Sequence, residues 1–137
     1  MPAQFVDTNI FLRYLTQDSP KQAQACLELF QRAQRRELSL TTSEAIIAEV
    51  VYVLHSKQLY NLSPEEIRAR LYPVLTIPGM KLHFRHMYLR ALDLYATHHL
   101  DFENALAIAQ MERQKITEVH TYDREFDRVS GIKRLEP

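Results

Sequence analysis

A chain of 137 residues is long enough to bury one sizeable core, and 46% hydrophobic with 25% charged residues is the balance of an ordinary globular domain. Seventeen basic residues offset seventeen acidic ones, which excludes a binder that holds nucleic acid mainly by long-range attraction and leaves only local patches for such contacts. A lone cysteine, Cys26, and two glycines, Gly79 and Gly131, exclude a disulfide framework, a cysteine-based metal site and a phosphate-cradling glycine loop.

In chain order, the apolar run Phe5-Val6 ends on Asp7, and Thr8-Asn9 turns the chain into a helix marked by Ile10, Phe11, Tyr14 and Leu15. A carboxylate just past the end of a strand stands where open α/β sheets bind ligands, although Asp7 could equally cap the helix that follows. Ser19-Pro20 starts a second helix that is expected to run to about Arg36, with Ala23, Cys26 or Leu27, and Phe30 on its buried stripe. Leu38 to Thr41 alternates as a second strand. Thr42 or Ser43 caps a third helix with Ile46, Val50, Val53 and Leu54 on its apolar face. Glu49 falls inside that arc, which calls for either a buried arginine partner or a cleft.

Ser63-Pro64-Glu65-Glu66 forms a capping box opening a fourth helix through Ile67, Leu71 and Leu75, which Pro78-Gly79 closes. Lys81 to Phe84 is expected as a short strand, and Arg85 to His99 as a fifth helix. In Leu100-Asp101-Phe102-Glu103-Asn104-Ala105-Leu106, Asp101 takes the N-cap place of a sixth helix ending near Lys115, with its carboxylate expected to accept from the Asn104 amide. Glu118 to Tyr122 is the last clear strand, and it stops at Asp123 as the first one stops at Asp7. Phe126 and Asp127 follow on a short helix, and Ile132 to Leu135 adds an edge strand. No charged-then-apolar signal opens the chain and no run is long enough to span a bilayer, so a cytoplasmic location is expected.

Strands alternating with helices predict a single α/β domain over residues 1–137, with a mostly parallel sheet of four to five strands and helices on both faces. That order carries Asp7, Glu49, Asp101, Asn104 and Asp123 towards one sheet edge. Carboxylates gathered in a crevice repel unless a cation neutralises them, and hard oxygen ligands suit Mg²⁺ or Mn²⁺. The matching chemistry is metal-assisted phosphodiester hydrolysis. Thr8 and Asn9 could position a water or a substrate oxygen, and Glu103 and Asp127 stand by as supporting carboxylates. Arg13, Arg85 and Arg124, with His86 and Lys115, are the basic groups placed to meet RNA, and Tyr14, Tyr52, Tyr60 and Tyr88 could stack on bases or lie in the core.

Val6-Asp7-Thr8-Asn9, Glu49 within Ala-Glu-Val, Asp101-Phe-Glu-Asn-Ala-Leu and Thr121-Tyr-Asp-Arg-Glu-Phe-Asp together resemble a PIN domain, most nearly the small VapC-type toxins of bacterial toxin–antitoxin pairs. The resemblance runs over essentially the whole chain. It implies a Mg²⁺- or Mn²⁺-dependent endoribonuclease, usually dimeric and silenced by a cognate antitoxin. By the same resemblance Asp7, Glu49 and Asp123 match the first, second and fourth acids of the family, while Asn104 stands where a third aspartate is usual. Its carbonyl keeps an oxygen for a cation but one negative charge is lost, for which Asp101 or Glu103 could compensate. Two further readings stay open. One is a weakened PIN-like module that binds RNA or antitoxin without turnover. The other is an aspartyl-phosphate enzyme, which Asn9 in place of a second aspartate argues against, or a receiver domain, for which Met1 to Val6 lack the clustered acids.

Overall fold

The computed structural model describes residues 2–137 and divides them at His83–Phe84 into two compact units. Among the described residues, six helices and four short strands give an α/β fold whose ladders are parallel, as the alternation of elements predicts.

In the first unit, β1 (Gln4–Phe5) pairs in parallel with β2 (Leu40–Thr41), and α1 (Thr8–Thr16) and α2 (Pro20–Gln34) form the crossover between them. The ladder extends one step past β1, where the buried Val6 donates to the Thr41 carbonyl at 2.8 Å. Phe11 and Tyr14 of α1 meet Phe30 of α2 in tilted ring contacts that join the two helices, with ring centroids 5.8 and 4.9 Å apart. Ala23, Cys26, Phe30 and Ala33 are the buried stripe of α2, so the core takes Cys26 and leaves Leu27 half-buried.

Helix α3 (Glu44–His55) starts at Ser43, whose hydroxyl accepts from the Ile46 amide. Its buried face is Ile47, Val50, Val51 and Leu54, which keeps Val50 and Leu54 of the arc read off the sequence but takes Ile47 and Val51 in place of Ile46 and Val53. Glu49 therefore lies outside the core and is exposed. Continuous apolarity along α3 had blurred which residues face inward. Helix α4 (Pro64–Leu75) begins as expected, with Ser63 accepting from the Glu66 amide at 3.1 Å. It buries Ile67, Leu71, Val74 and Leu75.

The strand expected at Lys81 to Phe84 is not formed. Pairing with β2 comes earlier, as a single parallel bridge between Leu40 and Met80, with Leu40 donating to Gly79 and Lys81 to Leu40. Phe84 adopts φ +58 in a turn, which no extended strand allows.

In the second unit, α5 (Arg85–His98) packs against α6 (Phe102–Gln114), and Tyr95 meets Phe102 edge-on at 5.5 Å. Then come β3 (Glu118–His120), a 3₁₀ turn (Arg124–Arg128) anchored by the buried Phe126, and β4 (Lys133–Leu135) parallel to β3. The strands thus pair two by two, not as one sheet of four to five. Among the described residues no helix is long and apolar enough to cross a membrane.

Candidate functional site

The first unit builds one acidic cluster. Chain geometry fixes Asp7 there, because Val6 is tied on both sides: its N–H donates into the ladder, and its carbonyl accepts from the Thr42 hydroxyl at 2.9 Å. Asp7 is the extended N-cap of α1 and its Oδ1 accepts from the Thr8 amide at 2.8 Å. The Thr8 hydroxyl donates to Glu49 Oε2, also at 2.8 Å. One threonine thus joins two carboxylates that lie far apart along the chain. Asp7 Oδ2 and Glu49 Oε1 accept from no protein donor among the described residues, and both side chains are exposed. Capping and ligand binding therefore coexist at Asp7, each using a different oxygen. Asn9 is exposed in the first turn of α1.

The second unit builds another cluster at the start of α6. Asp123, at the end of the β3 segment, caps the 3₁₀ turn, and its Oδ1 accepts from the Glu125 amide at 2.9 Å. Its Oδ2 accepts from Asn104 Nδ2 at 2.9 Å, and the same amide nitrogen donates to Glu125 Oε1 at 3.1 Å. The Asp101 backbone N–H also donates to Glu125 Oε1, at 2.8 Å. The Glu125 N–H and, next, the Asn104 amide hold the Asp123 carboxyl below the usual carboxylate range.

Three expectations change here. Asp101 caps α6 through its backbone, its carbonyl accepting from Ala105, while its side chain makes no cap bond and does not take the Asn104 amide. Asn104 turns donor hydrogens, not its carbonyl, towards the acids, since only an NH₂ group can serve two carboxylate acceptors. Glu125 joins the cluster unforeseen. The signal was present in Asp123-Arg124-Glu125, two acids with one residue between them after a strand, but helical spacing from Asp123 points to Asp127 as the supporting carboxylate.

The remaining positions divide. Asp127 pairs with Arg134 at 3.2 Å and so holds the 3₁₀ turn against β4. Arg13 is engaged within the first unit, donating to Gln22 at 2.6 Å and lying 3.5 Å from Asp18. Glu103 and Arg124 are exposed, and Arg85 is half-buried at the start of α5. Tyr14 is part of the aromatic cluster, Tyr60 donates to Asp18, and Tyr88 is buried, whereas Tyr52, one turn after Glu49 on α3, is 74% exposed.

Among the described residues no three carboxylate, imidazole or thiol side chains gather closely enough to encase an ion. Magnesium does not need such a cage, because it keeps most of its waters and is held by one or two carboxylates with substrate phosphate. Asp7 and Glu49, with hard oxygens left over, fit that donor set.

The sequence matches the PIN domain family over residues 5–132, a span that includes every residue of both clusters, and the chain belongs to that family. PIN domains are nucleases, generally divalent-metal dependent and RNA-binding. No curated protein matches the chain.

Proposed function

We propose that the protein is a Mg²⁺- or Mn²⁺-dependent endoribonuclease, one PIN domain over residues 1–137, and the toxin of a toxin–antitoxin pair. The Asp7–Thr8–Glu49 constellation carries this reading, because it presents two exposed carboxylates with uncommitted oxygens, one at the start of α1 and one on the middle turns of α3. A divalent ion bound there would supply an activated water and neutralise charge on the phosphate. Asp7 and Glu49 would hold it, with Thr8 hydrogen-bonded to both. Asp123 and Asp101 are further acids proposed for this chemistry, with Asn104 and Glu125 orienting Asp123. Arg124 meets the phosphate backbone, and Tyr52 offers an exposed ring on which a base can stack. Arg85 is the second phosphate contact. A homodimer in the cytoplasm, silenced by a cognate antitoxin, accords with the resemblance to VapC-type toxins.

The hydrogen-bonded state of Asn104 favours a second reading, a weakened module that binds RNA or antitoxin without turnover. Cleavage of single-stranded RNA separates the two. Glu49→Gln and Asp123→Asn should each lower the cleavage rate by about a hundredfold or more while leaving the unfolding temperature close to that of the wild type. Undiminished cleavage by either variant removes that residue from the reaction, and a wild type that binds RNA without cutting it establishes the second reading.

A further inference from the structure

Asn104 is the one neutral member of the second cluster, and its position is chemically unusual. A single amide nitrogen lies within hydrogen-bond distance of Asp123 Oδ2 and of Glu125 Oε1, which are oxygens of two different carboxylates. Carboxylates brought that close repel, and ordinarily either one takes up a proton or a cation enters between them. Neither is needed here, because both hydrogens of one NH₂ group point at the acids. The other donors are also in place. Asp123 Oδ1 takes the Glu125 N–H, and Glu125 Oε1 takes the Asp101 N–H as well.

We propose that Asn104 stands in for a cation in this cluster, its amide holding Asp123 and Glu125 in position so that they are assembled before any divalent ion arrives. Asn104 is thus a positioning residue, acting through the two acids. The consequence for metal is direct. An ion that entered between Asp123 and Glu125 has to displace the amide, so this half of the molecule has low metal affinity of its own. This rests on the nuclease reading for what the assembled acids are for, but its geometry is independent of that reading.

The contrast with a carboxylate at the same position is sharp. Asn104→Asp keeps the shape and replaces two donors with a third negative charge, so the cluster then requires a cation. Asn104→Ala removes the bridge and adds no charge, leaving two facing acids.

The test is a calorimetric titration with Mn²⁺ alone on the full chain, paired with thermal unfolding in EDTA and in Mn²⁺, for the wild type and both variants. The expected result is a lower unfolding temperature than wild type in EDTA for both. Both should also gain more from Mn²⁺, with affinity tighter by about tenfold or more for Asn104→Asp and by less for Asn104→Ala. If Asn104→Asp folds only with Mn²⁺, the proposal is upheld. If it does not fold at all, Asn104→Ala decides. Variants that bind Mn²⁺ no better than wild type, with the same gain in unfolding temperature, overturn the proposal. Because neither readout uses RNA, a wild type that never cleaves would remove the nuclease reading and leave this result standing.

Discussion

Thr8 is the residue on which the first cluster turns, since its amide caps onto Asp7 and its hydroxyl reaches Glu49. Thr8→Val keeps the shape and the amide but deletes the hydroxyl. It should cost at most about 1 kcal/mol in stability, because the pair is exposed. Cleavage should fall by about ten- to hundredfold as Glu49 swings free, and Thr8→Ser should restore it, both read by single-turnover kinetics. Another side chain gives a pH signature away from the site. The Tyr60 hydroxyl, 2.5 Å from Asp18, holds that carboxyl below its usual range, with the Thr16 side chain and Arg13 adding to the effect. A carboxyl depressed on folding contributes stability above the ordinary carboxylate range, and that contribution is lost as pH falls through its folded value. Tyr60→Phe should raise the Asp18 value and shift acid unfolding to higher pH. A Tyr60→Phe protein with an unaltered Asp18 titration, followed by NMR, contradicts the assignment. Asp7 and Asp123 could be placed after their strands from residue type and spacing alone, whereas the buried place in the α3 arc that drew attention to Glu49 is not the one it takes. Glu125 could not be placed so, because its role depends on how a five-residue turn aims its side chain.

At the scale of elements, Gly79 shows how closely the first unit is built. A Cβ there would lie 2.5 Å from the Ala33 carbonyl oxygen and 2.7 Å from that of Leu38, both backbone atoms that cannot yield. Gly79 is thus required for space, where the end of α2 meets the bridge beside β2. Gly79→Ala should cost about 1 to 3 kcal/mol, measured by urea unfolding, and a neutral result would mean that this packing is wrong. Gly131 is the opposite case, with open space around it but φ +89, so its cost is conformational. Helix starts were legible, because Ser19-Pro20 and Ser63-Pro64 write their own geometry into the sequence. Helix ends were less so. Helices α1, α5 and α6 close on Gln17, His99 and Lys115 in the left-handed region, without the glycine that usually marks such a stop. The misplaced strand after Gly79 has the same origin. Lys81 to Phe84 alternates as a strand should, yet pairing is decided by where the β2 backbone lies, which no local pattern encodes.

For the whole molecule, the α/β class and the parallel pairing followed from the order of elements, and the membership in the PIN domain family accords with that order. What local sequence could not supply was the hydrogen bonding that gives each acid its state. Asp7 and Glu49 keep oxygens free, whereas Asp123 and Glu125 are bridged by an amide. The proposed chemistry is that Asp7 and Glu49 would hold a divalent ion and that a water activated by it would be the nucleophile on RNA. Its most direct measurement is the chemistry of the cut ends as Mg²⁺ or Mn²⁺ is titrated against single-stranded RNA. The expected result is cleavage that EDTA abolishes, that Asp7→Asn loses although asparagine still caps α1, and that leaves 5′-phosphate and 3′-hydroxyl ends. Cleavage that survives EDTA, persists in Asp7→Asn or leaves 2′,3′-cyclic phosphates would contradict it.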